Sequence, residues 1–183
     1  MTLSFSQTYP ERMGELSGKT NFFPYKIQQG LFSNGLISVD ITLDYQAEYQ
    51  LKSRSNKTID LPTKVPSGKI TTIREDKHNR WKAGNKIHFV INNRTKDRFQ
   101  FAPVLECTSV QKIEIIYYDK ITKHRQYQIN GKNVSVIVDG HPLAYFDICV
   151  LCLNDGFPSV ESFFDWFNED FEGKIIHWTD LKY

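Results

Sequence analysis

The spacing of hydrophobic and polar positions changes period several times along this chain, and each change marks an element. Pro24 followed by Tyr25-Lys26-Ile27-Gln28-Gln29-Gly30 predicts a short helix, with proline in its first turn and glycine at its end. Ile37-Ser38-Val39-Asp40-Ile41-Thr42-Leu43 alternates apolar and polar, the mark of a half-buried strand. Gly68 opens a strand-like segment from Lys69 to Arg74, and Trp81-Lys82-Ala83-Gly84-Asn85 makes a turn before a strand from Lys86 to Ile91. Further strands are predicted around Arg98 to Phe101, Val110 to Tyr118 and Val134 to Val138, with Gly131 and Asp139-Gly140 as turns. Leu143 to Leu153 has helical spacing. Pro158 and Ser159 then start a second helix, on which Val160, Phe163, Phe164 and Phe167 share one face. That helix should stop before Gly173, and Ile175 to Trp178 supplies a closing strand. Met1 to Lys19 reads as an irregular lead-in, and Lys52 to Ser67, broken by Pro62 and Pro66, as a loop. Strands separated by glycine turns, with two late helices, favour an α+β chain with a curled or barrel-like sheet over a doubly wound one.

Length and composition narrow the class. A chain of 183 residues suits one good core and is short for two domains, so a single domain over 1–183 is expected. With 40% hydrophobic and 14% aromatic residues, global disorder is not expected. No stretch reaches the roughly 20 apolar residues of a spanning helix, and no signal-peptide pattern opens the chain, so the expectation is a cytoplasmic protein with no membrane partner. Cys149-Val150-Leu151-Cys152 is a CxxC inside an apolar stretch with no second pair, which reads as core filling ahead of zinc or redox chemistry. No metal is expected. Nothing resembles GxGxxG or a phosphate-binding glycine loop, so no cofactor is expected either.

Charge changes the picture through its distribution. The formal net charge of +2 is small, yet Lys52, Arg54, Lys57, Lys64, Lys69, Arg74, Lys77, Arg80, Lys82 and Lys86 crowd the centre of the chain. Such a cluster focuses positive potential, and equally describes a solvated rim. Lys69, Thr72 and Arg74 are the densest candidates for chemistry. Arginine can grip phosphate in a fork, and a desolvated lysine can act as a base. Side chains alternate on a strand, so bringing Lys69 and Thr72 together requires a bend. Trp81 between Arg80 and Lys82 reads either as a base-stacking ring or as the anchor of its turn. The basic run from Lys120 to Arg125 reads as a hairpin tip and a second possible contact surface.

Ser67-Gly68-Lys69-Ile70-Thr71-Thr72-Ile73-Arg74, followed by Trp81-Lys82-Ala83-Gly84-Asn85-Lys86-Ile87, resembles the ASCH domain family of the PUA-like superfamily. Asn154-Asp155-Gly156-Phe157-Pro158-Ser159 resembles its closing glycine-phenylalanine-serine helix, and Gly173-Lys174-Ile175-Ile176-His177-Trp178 its last strand. The whole looks closest to uncharacterised ASCH-like proteins of bacteria and their phages, and makes residues 31–65 an insertion. The resemblance implies a PUA-like curled β-barrel with flanking helices and a cleft for RNA or a modified nucleoside. In the family's amidohydrolases, which deacetylate N4-acetylcytidine, a lysine, a threonine and a glutamate act. They fall on Lys69, Thr72 and, on or next to the glutamate, Asp155, whose arm is one methylene shorter. Two functions are therefore carried forward. One is RNA or nucleic-acid binding through Lys69, Arg74, Arg80, Trp81 and Lys82. The other is hydrolysis of an acylated nucleoside by Lys69, Thr72 and Asp155, and a protein partner is a third class.

Overall fold

The computed structural model describes residues 1–54, 62, 67–119 and 125–183. In chain order they form β1 (Thr2–Ser4), a 3-10 turn (Glu11–Leu16), α1 (Phe23–Ser33), α2 (Val39–Arg54), β2 (Thr71–Arg74), β3 (Lys86–Ile91), β4 (Phe99–Gln100), β5 (Leu105–Glu106), β6 (Ser109–Tyr118), β7 (Tyr127–Ile129), β8 (Lys132–Val138), β9 (His141–Pro142), α3 (Tyr145–Asn154), α4 (Val160–Trp166) and β10 (Phe171–His177). The chain divides into two units, one of residues Met1–Ile70 and Asn85–Glu106, the other of Thr71–Gly84 and Cys107–Tyr183. Each unit holds one sheet. Among the described residues no helix is long and apolar enough to cross a membrane.

The expected barrel is corrected by the pairing of the strands. Among the described residues they form two open sheets, neither of them closed into a barrel. In the first unit β3 is central, pairing parallel to β1 with Thr2 opposite His88 and antiparallel to β4 and β5. In the second the order is β2-β10-β6-β8-β7, with β9 also on β8, so that β2 is left as a free edge. The physical reason is that alternation identifies a strand but not its partner. β3, assigned to the barrel by its pattern, takes as its neighbour a three-residue strand from the stretch read as irregular, too short to show any period.

A second correction concerns Ile37 to Leu43, which alternates yet lies largely in α2. Ser38 caps that helix, its side-chain oxygen accepting the Ile41 N–H at 3.3 Å and its carbonyl the Thr42 N–H at 3.1 Å. The residues that α2 buries are Thr42 and Tyr49, with Tyr45 and Gln46 half-buried between them, while Val39, Ile41 and Leu43 are exposed. That is helical spacing, and the alternation is incidental. α2 also continues to Arg54, into the segment read as a loop, whose residues 55–61 and 63–66 lie outside the described residues. So do residues 120–124 of the expected hairpin tip.

α1 carries Pro24 in its first turn as expected, but runs past Gly30 to Ser33. Gly30 is there for close approach rather than for stopping: a Cβ on it would lie 2.5 Å from the Lys69 carbonyl oxygen. Its core neighbours Ile27 and Leu31 are fully buried, and Gln28 donates from Nε2 to the Phe101 carbonyl at 2.7 Å.

In the second unit α4 starts at a capping box in which the Ser159 side chain accepts the Ser162 N–H and the Ser162 hydroxyl accepts the Ser159 N–H. Its Phe163 and Phe164 are buried with Phe157 and Phe167, the Phe163 and Phe167 ring centroids being 4.8 Å apart. The Tyr117 hydroxyl of β6 donates to the Phe167 carbonyl at 2.6 Å, fastening the helix end to the sheet. Within β10, Gly173 has no room for a side chain. A Cβ would sit 2.5 Å from the Arg74 carbonyl and 2.7 Å from the Phe171 ring. Gly173→Ala is therefore expected to cost about 2 kcal/mol by overpacking against backbone that cannot yield, read as a lower urea midpoint at unchanged slope. A midpoint equal to that of the parent would show that β2 and β10 separate freely.

Candidate functional site

Lys69 belongs to the first unit. Its N–H donates to the Lys26 carbonyl at 2.8 Å, which docks the segment against α1. The side chain is buried, 2% exposed, and its Nζ lies 5.1 Å from the centre of the Phe23 ring. Lys26 approaches the same ring at 5.7 Å. Two lysine side chains thus approach one aromatic ring within cation–π range, a favourable arrangement for groups removed from water. Burial pushes the Lys26 pKa down to about 8, so it remains largely charged at neutral pH.

Thr72, Arg74 and Asp155 belong to the second unit, and the structure brings them to the free edge of β2. Asp155 caps the C-terminus of α3, and Gly156 follows at φ +87°, a left-handed conformation that favours glycine. The Gly156 N–H donates to Leu153 and the Phe157 N–H to Cys152, the Schellman pattern that turns the chain sharply. This turn aims the Asp155 carboxylate at β2, where Oδ1 accepts the Ile73 N–H at 3.2 Å. It thereby satisfies a backbone donor that an edge strand would otherwise leave unpaired. The Arg74 guanidinium is enclosed although the residue as a whole is half-buried. Desolvation lowers its pKa and the Asp155 charge opposes that fall. Thr72 is only 2% exposed and Asp155 only 4%.

Arg80 and Lys82 are exposed, and Trp81 between them is 6% exposed. Asp76 organises their turn, its carboxylate accepting the Arg80 N–H at 3.0 Å and the Trp81 N–H at 2.9 Å. Desolvation alone would raise the Asp76 pKa. The Trp81 and Arg80 N–H groups, with the charges of Lys174 and Arg80, outweigh it and hold the carboxyl below its usual value. With the indole buried, a base would reach its face only if the turn opened.

Beside this turn lies an open cleft of about 590 Å³, lined by Glu75, Asp76, Lys77, Asn79, Lys112, Glu172, Gly173 and Lys174. Its floor is one face of β10 and β6, where Lys174 stands opposite Lys112 and Glu172 opposite Glu114. Lys112 is held by Glu114 at 2.9 Å and Glu172 at 3.1 Å, and these hydrogen-bonded carboxylates raise its pKa. Lys77 pairs with Glu75 at 2.9 Å. Lys112, Glu172 and Lys174 were not legible as site residues. Alternation places them on solvent faces of two strands far apart in sequence, and only the register between those strands joins them.

All three cysteines are free, and burial pushes the Cys152 thiol well above its usual range. Among the described residues no three histidine, cysteine or acidic side chains converge as metal ligands would. No family model, curated protein or solved structure matches this chain.

Proposed function

We propose that this protein is a nucleic-acid-binding module and that a nucleotide is read in the open cleft of the second unit. The observation that supports this is the cleft's lining, in which Lys77, Lys112 and Lys174 alternate with Glu75, Asp76, Glu172 and the amide of Asn79. Ammonium groups serve phosphate, while carboxylates and an amide serve the donor-bearing edges of unpaired bases. Its volume falls in the range of small-ligand sites, about 300–1,000 Å³. Three lysines against three acids leave little net field, so recognition here rests on hydrogen bonding more than on gripping a phosphate backbone.

The hydrolytic reading is less favoured. A nucleophilic Thr72 must meet an acyl carbonyl, and its hydroxyl sits on a residue 2% exposed. The Asp155 carboxylate is engaged with the Ile73 N–H. Release of acetate from N4-acetylcytidine by the intact chain, absent from Thr72→Ala, would reverse this preference.

The binding test is a fluorescence titration with a short single-stranded RNA of mixed sequence at two salt concentrations. Affinity should fall only modestly with salt, with a slope of about −0.7 per phosphate neutralised and few phosphates involved. Lys112→Ala/Lys174→Ala should weaken binding about tenfold at low salt, equivalent to about 1.4 kcal/mol. An intact chain that binds no RNA at low salt, or a double variant that binds as well as the parent, would end this reading.

A further inference from the structure

After β10 the chain turns and lays Tyr183 back on the sheet, on the face that carries Thr71, His177 and Gln111. Strand alternation puts this face opposite the one bearing Lys112 and Lys174, so it is distinct from the cleft. Tyr183 is fastened at three points. Its N–H donates to Gln111 Oε1 at 2.8 Å, its carbonyl accepts from Gln111 Nε2 at 2.8 Å, and its hydroxyl accepts from Asn154 Nδ2 at 2.9 Å. Gln111 is itself held in place by donating to Asp139 at 2.9 Å. The phenol ring lies with its centroid 6.0 Å from that of the His177 imidazole, inclined by 41°.

His177 gives this arrangement its meaning. The residue is fully buried, and neither ring nitrogen has a hydrogen-bond partner among the described residues. The hydroxyls of its strand partners Thr71 and Ser109 are likewise buried without a hydrogen-bond partner among the described residues, whereas the backbone carbonyl of His177 accepts the Thr108 N–H at 2.9 Å. Burial keeps the imidazole neutral, with the Asp139 charge opposing that effect and the Lys182 charge reinforcing it. A neutral imidazole offers one N–H donor and one lone pair. Leaving both unmet in the interior is costly, and buried polar groups in native proteins are ordinarily paired. The Tyr183 ring fills the space by shape without answering either nitrogen.

We propose that Tyr183 occupies the seat of a ligand, and that the pocket bounded by Thr71, Asn154 and His177 accepts a planar pyrimidine base once the 179–183 segment releases it. The tyrosine shows that a flat six-membered ring with a polar substituent fits beside the imidazole. A pyrimidine of the same outline adds a ring donor and acceptor that the phenol lacks, and these answer His177. Asn154 remains to meet the exocyclic group where it now meets the phenol. Release requires undoing the two Gln111 bonds, the Asn154 bond and the bond from the Thr108 hydroxyl to the Thr179 carbonyl, all made by side chains that stay behind on the sheet and α3. This pocket is independent of the cleft, lying on the other face of the sheet and using none of the cleft's lysines.

The test is calorimetric titration of the full chain with cytosine and, separately, with p-cresol as a copy of the tyrosine ring. Tyr183→Ala should bind cytosine at least about tenfold more tightly than the parent. Gln111→Ala, which unfastens the backbone of Tyr183 while leaving His177 and Asn154, should move affinity in the same direction. Adding His177→Phe to Tyr183→Ala should remove the gain. In the parent, an excess of cytosine should shift the His177 ring-nitrogen NMR signals, a readout that needs no variant to fold. Binding of p-cresol but not cytosine by Tyr183→Ala would overturn the proposal and leave the pocket as the tyrosine's own seat. So would unchanged affinity in Gln111→Ala with unmoved His177 signals.

Discussion

Arg74→Met is expected to destabilise the chain by about 3–5 kcal/mol, the cost typical of removing one partner from a buried charge pair. Asp155 is 4% exposed, and the enclosed guanidinium of Arg74 is the cation whose pKa responds to it. Without that cation the carboxylate must stay charged in a poorly solvated place or take up a proton. Asp155→Asn in the same background should recover most of the loss, since an amide oxygen can still accept the Ile73 N–H that Asp155 accepts now. Urea unfolding of the parent, the single variant and the double variant measures this directly. If Arg74→Met stays within about 1 kcal/mol of the parent, the arginine is not what makes Asp155 tolerable there. A near-neutral double variant, by contrast, would show the pair to be worth little beyond its own mutual compensation.

Acidification should cost nearly as much. Burial lowers the His177 pKa to about 4, from an ordinary value near 6.5. Because the folded value is depressed, the unfolded chain binds the proton first. Stability from this group is therefore complete above about pH 6.5 and falls as pH drops toward 4, by about 3 kcal/mol across the window at about 1.4 kcal/mol per pH step. The groups in play beyond desolvation are Asp139, which favours the proton, and Lys182, which opposes it. Denaturant midpoints between pH 6.5 and 5 isolate the effect, since most carboxylates titrate lower. His177→Phe should flatten the slope in that interval by about one proton. An unchanged slope would mean that the imidazole finds a partner when protonated.

Much of the second unit was readable because its signals are local. β2, β6 and β8 lie where alternation puts them. α4 begins at the Ser159 cap that the sequence displays, and Gly156 turns the chain behind Asp155 as a left-handed glycine should. What stayed hidden depends on partners distant in sequence. The pairing of Thr2–Ser4 with β3 spans more than 80 residues of chain, and a three-residue strand has no period to detect. Alternation over Ile37 to Leu43 pointed to a strand because seven residues cannot distinguish a strand from a helix whose exposed positions happen to be apolar. The candidate site divides in the same way. The resemblance groups Asp155 with Thr72, and the structure brings its carboxylate to β2, whereas Lys112, Glu172 and Lys174 gather only through register. Asp155 also emerged with a structural duty, covering an edge N–H, that residue type alone does not reveal.

The close approach of Gly30 and Gly68 has a consequence for descent. A Cβ on Gly68 would lie 2.7 Å from the Gly30 Cα, and one on Gly30 would strike the Lys69 carbonyl. At each position it is backbone that leaves no room for a side chain, so both glycines answer to the same packing of the 67–70 segment on α1 although 38 positions separate them in the sequence. A lineage can lose either glycine only through a change that also lifts the 67–70 segment off α1. In sequences descended from a common ancestor with this chain, Gly30 and Gly68 should be retained together, or replaced together with a rewritten 67–70 segment. The glycine-lysine step at 68 and 69 would then mark ancestry through backbone contact and not through chemistry.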